Sequence, residues 1–369
     1  MRIGIDYRFA VRSSRGIATY IREIVRELML IDQANEYILY IDEDTALNLP
    51  ANFSKAILPY KNILLFEQIY LPLQARSDRL DILWYPSNSG PIFLHHTIKL
   101  VVTVHDLISF MNFNSVNKWS FSSLKYRSGE YYRKYALKSG LNRINQMITV
   151  SEYSGSRIRQ LLKRDAAVIY NNISSEIPSG ADQAILERLS LIPGGYLFSI
   201  TGHAPHKNLK GLLEAISGSS LSEKLVISGI HNKNVLDEYP EEIRRKVIIT
   251  GYITEEEKAC LYKNSKAFLF LSHYEGFGIP VLEAMQFNIP VIASNRSSIP
   301  EVVGNGGQLI DPEDIEGIRR LIRELPQVDI EELRTRQAEQ LKKFSSWRNS
   351  AVQLLQLFAK LNPDLKYRN

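Results

Sequence analysis

An α/β protein made of two doubly wound domains is what the sequence predicts, and three observations carry the expectation. Short β-branched or apolar runs alternate with longer amphipathic ones, the pattern of parallel strands joined by crossover helices. The rhythm pauses at Ser174–Asp182, rich in Ser, Gly and Pro, and then restarts. The 369 residues exceed one ordinary core and suit two domains of roughly 150–200 residues each.

In the first half, strands are expected at Arg2–Asp6, Tyr37–Ile41, Leu100–Val104 and Met147–Val150, with a helix over Ile17–Leu30. In the second half they are expected at Tyr196–Thr201, Leu225–Ser228, Val247–Thr250, Ala267–Leu271, Pro290–Ala293 and Gln308–Ile310. A final helix near Trp347–Leu361 has apolar residues at Val352, Leu354, Leu355, Leu357 and Phe358, so one face must pack against something. The expected division is therefore 1–172, 173–345 and a C-terminal helix, 346–369, that crosses back to the first domain. In such open sheets ligands bind beyond the carboxyl ends of the strands. Two such Rossmann-like domains facing one another would make a cleft.

Apolar residues make up 44% of the chain and charged residues 23%, which excludes a disordered or fibrous class. The longest apolar runs are strand-length, well short of the ~20 residues that span a bilayer. Met1–Asp6 goes straight into a strand-like run without a secretory leader, so the cytoplasm is the expected compartment. Cys260 is alone, with neither a disulfide partner nor a Cys/His set for zinc nearby, and reads as structural. A net charge of +5 suits acidic membranes, nucleic acid or phosphate-bearing substrates, and its sign does not choose among them.

The strongest local signal is Ser272–Ala284, SHYEGFGIPVLEA, directly after the strand Ala267–Leu271. Gly276 and Gly278 permit close backbone approach, and Pro280 suits the first turn of a helix. A strand, a glycine loop and a helix start make an anion site, for which a diphosphate is the natural guest. The donor-binding candidates here are Glu275, Gly276, Phe277, Gly278, Ile279, Leu282 and Glu283, with Glu283 expected in the first helical turn. A carboxylate suits phosphate poorly but accepts hydrogen bonds from sugar hydroxyls. Glu283 is accordingly assigned to the donor ribose and Glu275 to the transferred hexose. The plainer alternatives are a helix-dipole partner for Glu283 and a solvated loop residue for Glu275.

EGFGIPVLE resembles the Glu-(seven residues)-Glu signature of family 4 retaining glycosyltransferases (glycosyl transferases group 1), which have the GT-B fold. HKNLKGLLEAI, at His206–Ile216, resembles the segment whose basic pair grips the donor diphosphate, and Thr201-Gly202 resembles the glycine turn before it. The resemblance implies that His206 and Lys207 hold the diphosphate. Lys207 would neutralise it as it departs, the task a divalent metal performs in other transferases, so no metal or other cofactor is expected. Here His206 stands where the family usually has Arg. Gly251-Tyr252 resembles the turn that contacts the nucleotide base.

In the first half, VVTVHDLI (Val101–Ile108) carries the family's His-Asp pair; His105 would face the 6-position of the donor hexose and Asp106 would cap the next turn. SSRGIATYIREIVREL (Ser13–Leu28) resembles the family's glycine loop and first helix, with Gly16 retained and Ala18 at the usual second glycine. LFEQIYLPLQAR (Leu65–Arg76) and TVSEYSGSRI (Thr149–Ile158) resemble members that transfer mannose and rhamnose in surface polysaccharide (O-antigen-type) assembly. Asn171-Asn172 stands where Asn-Gly is usual. The likeness runs from Ile3 to about Leu361.

Asn117–Lys138 interleaves base with aromatics, Lys118, Trp119, Lys125, Arg127, Arg133 and Lys134 among them. Such a stretch suits a lipid-linked acceptor or a membrane face, or is an ordinary amphipathic helix; no nucleic-acid motif accompanies it.

The expectation is a retaining, metal-independent hexosyltransferase with His105, Lys207 and Glu275 as its catalytic residues. GDP-mannose or dTDP-rhamnose is the favoured donor, the acceptor is a saccharide or lipid-linked saccharide, and an anionic membrane surface is a further candidate partner for a cytoplasmic, peripheral enzyme. The rivals are a metal-dependent transferase using Asp42 and Asp44, a nucleotide-sugar epimerase on the same fold, and a non-catalytic sugar binder.

Overall fold

The computed structural model describes residues 1–12, 16–111, 124–173, 183–217, 222–230, 233–344 and 346–363, and they fall into two compact units. Unit 1 draws on Met1–Asn112, Ser122–Asn171 and Ser346–Asn369, and unit 2 on Asn172–Ser345. Both are α/β, as expected.

In unit 1 seven parallel strands form one sheet: β1 (Arg2–Asp6), β2 (Glu36–Ile41), β3 (Phe53–Ile57), β4 (Ile82–Tyr85), β5 (Lys99–Val104), β6 (Ile144–Thr149) and β7 (Ala166–Val168). Their order is β3-β2-β1-β4-β5-β6-β7. The chain starts at β1, winds outward through β2 and β3, and returns to lay β4 on the other side of β1, with Ile5 opposite Trp84. That reversal parts the loops that follow β1 and β4 and opens a crevice at their carboxyl ends.

Central strands read as apolar runs because both of their faces are covered: all four residues of β4 and five of the six in β5 are buried. The helix Gly16–Ile31 buries Ala18, Tyr20, Ile21, Ile24, Val25 and Leu28, an i, i+3, i+4 face. Gly4 is required by packing, since a Cβ there would collide with Leu80 and Tyr40.

The last helix, Trp347–Leu361, belongs to this unit. Ser346 caps it by accepting from the Asn349 N–H. Its apolar face lies along the helix Gly16–Ile31: Trp347 meets Tyr20 edge-on with ring centroids 6.1 Å apart, and Phe358 meets Trp84 at 6.3 Å.

Unit 2 has six parallel strands: β8 (Tyr196–Ile200), β9 (Lys224–Ser228), β10 (Val247–Gly251), β11 (Ala267–Phe270), β12 (Val291–Ser294) and β13 (Gln308–Ile310), in the order β10-β9-β8-β11-β12-β13. Here the reversal lies between β8 and β11. Leu197, Leu225, Ile227 and Leu269 of the sheet pack with Leu212, Leu213 and Ile216 of the helix Leu209–Ile216 and with Ile318 and Ile322 of the helix Ile315–Glu324.

Three strands went unread in the sequence. β3 exposes three of its five residues, β7 has three residues, and β4 is a short apolar run wedged between polar turns.

Trp347 anchors the C-terminal helix with only 4% of its surface exposed. Trp347→Ala is expected to lower the unfolding free energy by about 3–5 kcal/mol, read from urea denaturation.

Candidate active site

The reversal in unit 2 brings together the loops after β8 and β11. Asn208 adopts the left-handed conformation (φ 51°), caps the helix Leu209–Ile216 through Gly211, and donates from Nδ2 to the Leu271 and Pro312 carbonyls. The Thr201 hydroxyl donates to the Lys207 carbonyl at 3.0 Å. The His206 carbonyl accepts from the His273 N–H at 2.8 Å. These bonds pin the turn Pro205–Lys207 against the loop that starts at Leu271. Lys207 Nζ consequently meets both oxygens of Glu275, at 2.8 and 2.9 Å. The pair is partly open, with side-chain exposures of 30% and 12%.

Glu275 is fixed from behind. Its N–H donates to the Ser297 hydroxyl at 2.9 Å, and Ser298 Oγ donates to the Glu275 and Phe277 carbonyls at 3.0 and 2.8 Å. Ser297 holds this geometry at a positive φ of 55°. Neither serine was singled out in the sequence, where an Arg-Ser-Ser after a strand reads as an ordinary turn.

The helix after the glycine loop is Ile279–Gln286, capped by Gly278 at φ 123° without a side-chain cap. A positive φ of that size favours glycine. Pro280 has no N–H and the Val281 N–H returns to the Gly278 carbonyl, so the Gly278 and Ile279 N–H groups are those left for an anion among the described residues. The side chains of Phe277 and Leu282 turn into the core, Phe277 edge-on to Phe344 at 5.4 Å. Gly202 has open space above its Cα, and Tyr252, beside Gly251 (φ 76°), is 71% exposed.

Glu283 is the fifth residue of its helix, in the second turn rather than the first as expected. The cause is that the helix begins only after Gly278, with Pro280 as its second residue. Glu283 is therefore no dipole partner; it belongs to a network that the sequence reading missed. Lys258 Nζ donates to Glu283 Oε1 at 2.9 Å and the Tyr262 hydroxyl to Oε2 at 3.0 Å. Burial opposes the Lys258 charge, but the Glu283 and Glu255 carboxylates outweigh it and raise the ammonium pKa. The signal was present: Lys258 and Tyr262 are i, i+4 on the helix Glu255–Asn264, hence on one face.

In unit 1, His105 follows β5 and is 5% exposed. Its Nε2 lies 2.9 Å from the Pro86 carbonyl, which can only accept, so Nε2 carries the proton and Nδ1 remains as an acceptor. Burial lowers the His105 pKa against the opposing pull of Pro86 and Asp106, keeping the ring neutral at pH 7. The Asp106 carboxylate accepts from the Ile108 N–H at 3.0 Å at the start of the turn Ile108–Phe110, whose cap position is Leu107 and not Asp106 as expected. Gly16 opens its helix at an exposed position. Asp42 is buried and paired with Arg12, whereas Asp44 is exposed and paired with Lys55 at 2.5 Å, so the two carboxylates serve separate cations of the protein.

Of the basic-aromatic candidates, Lys118 and Trp119 lie outside the described residues, as do the side chains of Lys125 and Arg127. Arg133 and Lys134 are half-buried on the helix Leu124–Gly140, with Lys134 Nζ 5.4 Å from the Phe110 ring centroid. A different surface of this unit stands out. Leu64, Leu65, Ile69 and Leu73 are 41–62% exposed on the helical stretch 63–77, beside exposed Lys61, Arg76 and Arg79. The acid of that stretch, Glu67, accepts from Tyr85, and Asp78, just after it, accepts from Tyr40.

Residues 194–344 match the family model described as Glycosyl transferases group 1. The O-antigen chain mannosyltransferase B of Escherichia coli is 27% identical over 287 residues, 73% of each chain. The serotype-specific mannosyltransferase WbdA of the same species is 26% identical over 285 residues; the match covers 71% of this chain and 34% of that much longer relative. Among solved structures, sucrose-phosphate synthase from Thermosynechococcus elongatus superposes with a TM-score of 0.74 at 16% identity, covering 99% of this chain and 100% of that one. That likeness establishes the GT-B fold.

Removing the cation from the newly found network tests its weight. Lys258→Ala is expected to destabilise the protein by about 1–3 kcal/mol at neutral pH. Because folding raises the Lys258 pKa, this difference is present below the lysine's ordinary value and fades as pH rises through the folded one, which denaturation at stepped pH would follow. Lys207 and Glu275 meet at the reversal point of a sheet within residues 194–344, the part that matches the glycosyl transferases group 1 model, and the chain is a glycosyltransferase.

Proposed function

We propose that this enzyme moves a hexose, mannose or rhamnose, from GDP-mannose or dTDP-rhamnose to a saccharide or lipid-linked saccharide in lipopolysaccharide or related surface-polysaccharide assembly. Transfer proceeds with retention and without a metal. The observation that carries the reading is the Lys207–Glu275 pair at the reversal between β8 and β11, where open α/β sheets hold their ligands. Support for the sugar and the pathway comes from the resemblance to O-antigen mannosyltransferase B.

An ammonium group has three donors and Lys207 spends two of them on Glu275, so one is left to meet a phosphoryl oxygen. Each Glu275 oxygen accepts one of these bonds and keeps a lone pair for a hexose hydroxyl. Glu283, steadied by Lys258 and Tyr262, takes the ribose hydroxyls, and His105 accepts from a sugar hydroxyl through Nδ1. As the anomeric C–O bond to the diphosphate breaks, Lys207 and the N–H groups of Gly278 and Ile279 stabilise the growing charge. The acceptor oxygen forms its bond on the same face, and its proton passes to the departing phosphate.

Lys207→Ala and Glu283→Ala should each abolish transfer while the fold persists. Nucleotide-sugar thermal shifts, scored against both variants, identify the donor, since a ligand that binds only the folded state raises apparent stability. Turnover near the wild-type level in either variant would refute the site, product from donor alone would indicate an epimerase, and loss of wild-type transfer in EDTA would refute metal independence.

Among the described residues no helix is long and apolar enough to cross a membrane. The enzyme is nevertheless assigned to the cytoplasmic face of the plasma membrane, held peripherally, because Leu64, Leu65, Ile69 and Leu73 present apolar surface rimmed by cations, as an anionic lipid surface requires. Vesicles containing phosphatidylglycerol should sediment the protein at low salt, and phosphatidylcholine vesicles should not. The double change Leu65→Glu, Leu73→Glu should weaken that binding at least tenfold, a loss of about 1.4 kcal/mol or more. Equal binding by the variant would refute the membrane assignment.

A further inference from the structure

At the β1/β4 reversal in unit 1 lies a buried polar cluster that the reaction outlined above leaves unused. Its centre is Glu67, fully buried in the π-helical turn Phe66–Tyr70. Extra-residue turns of this kind recur at functional sites. The Tyr85 hydroxyl, at the end of β4, donates to Glu67 Oε2 at 2.7 Å, and the Ser89 hydroxyl reaches the same oxygen at 3.3 Å. From the end of β1, Arg8 Nη2 donates to the Tyr85 hydroxyl at 2.9 Å. Arg8 is itself held by both oxygens of Asp6, at 2.8 and 2.7 Å, and lies 3.7 Å from the Phe66 ring centroid. The neighbouring Gln68 donates to the Gly90 carbonyl at 3.3 Å and to the Tyr132 hydroxyl at 2.8 Å, and accepts from the Ile92 N–H at 2.8 Å.

These contacts converge on one loop, Pro86–Gly90, which leaves β4 at the crevice. Glu67 and Gln68 grip it at Ser89 and Gly90. His105 grips the same loop from the other side, through the Pro86 carbonyl and through its own N–H to Asn88 Oδ1. The loop therefore couples the acid to the histidine, so the orientation of His105 depends on how Glu67 is bonded.

We propose that Glu67 is a positioning residue for sugar transfer: its carboxylate, with Gln68, sets the loop Pro86–Gly90 from which His105 hangs, and unit 1 receives sugar productively while that carboxylate is ionised. The proposal rests on the assignment of His105 to sugar recognition. The hydroxyls of Tyr85 and Ser89 donate to Oε2 and the Gln68 amide donates to Oε1 at 3.2 Å, so both oxygens of the acid accept, an arrangement that suits a carboxylate. Burial meanwhile pushes the Glu67 pKa up to about 7, with Tyr85 and Arg8 pulling it down, Asp6 pushing it up and Tyr132 donating to it. The proton that breaks this arrangement is therefore exchanged near neutrality.

The test is Glu67→Gln in the full chain, which keeps the shape and removes the ionisation. In the wild type, kcat/KM for transfer should rise across about pH 6–8. In the variant it should be flat across that interval and about tenfold lower at pH 8, the loss expected of one hydrogen bond to a charged group. Ser89→Ala should lower kcat/KM but keep the rise, and Glu67→Asp should restore it in part. A second reading needs no substrate. Because the folded pKa is raised, the stability of wild type relative to Glu67→Gln should fall as pH climbs from about 4.5 to about 7 and then level off. An active wild type whose pH profile matches that of Glu67→Gln overturns this proposal alone, as does a Tm gap that does not change with pH. A wild type that transfers no sugar from any nucleotide donor overturns the proposed function, and this proposal with it.

Discussion

The ion pair between Lys207 and Glu275 ties together two loops that are 68 residues apart in the chain, and the arrangement of unit 2 is organised to permit it. The sheet must reverse its winding between β8 and β11 for the two loops to be neighbours. Asn208 must take the left-handed conformation to turn the chain from Lys207 into the next helix while clasping Leu271 and Pro312. Ser297 and Ser298 must brace the glycine loop from the far side. An ammonium and a carboxylate at a partly open surface contribute little net stability by themselves. The folding free energy comes from the apolar sheet and its helices, and that scaffold presents two opposite charges side by side where a charged, hydroxyl-rich ligand can divide them.

The remaining polar residues of unit 2 follow the same logic at a second level. Glu283 is poorly placed to serve a helix dipole, since it lies beyond the first turn, and it is instead held by Lys258 and Tyr262 from the neighbouring helix. A carboxylate whose oxygens are each anchored by a fixed donor is rigid, and rigidity lowers the entropy lost when it binds a sugar hydroxyl. The two glutamates of the Glu-(seven residues)-Glu pattern thus sit in separate networks with separate cations. That separation fits the different tasks proposed for them.

Unit 1 repeats the architecture with a different filling. Its crevice between β1 and β4 contains a desolvated set of Asp6, Arg8, Tyr85 and Glu67, in which each hydrogen-bonding group is matched by a neighbour from another element. Burying such groups is costly unless they are paired, so the cluster specifies one arrangement of the loops above it more than it adds stability. The C-terminal helix closes the other side of this unit by laying Trp347 and Phe358 against Tyr20 and Trp84.

Local patterning was enough to read most of this. Alternating apolar and amphipathic runs gave the fold class, a helix start after the glycine loop was legible from Gly278 and Pro280, and the final helix was legible from its apolar spacing. Each of these follows from short-range physics: backbone freedom at glycine, the fixed φ of proline, and the period at which side chains share a face. The partners of the charged groups were not legible. That Glu283 meets Lys258, that Ser297 steadies Glu275, and that Glu67 meets Tyr85 at the crevice of unit 1 are consequences of which strands lie side by side. The edge strands β3 and β7 were missed for a related reason, because an edge is half solvated and carries no apolar run. Sequence determined the elements and the types of chemistry available to them; the tertiary structure alone decided which charges meet, since hydrogen bonds act over about 3 Å and only the folded sheet order brings distant residues that close.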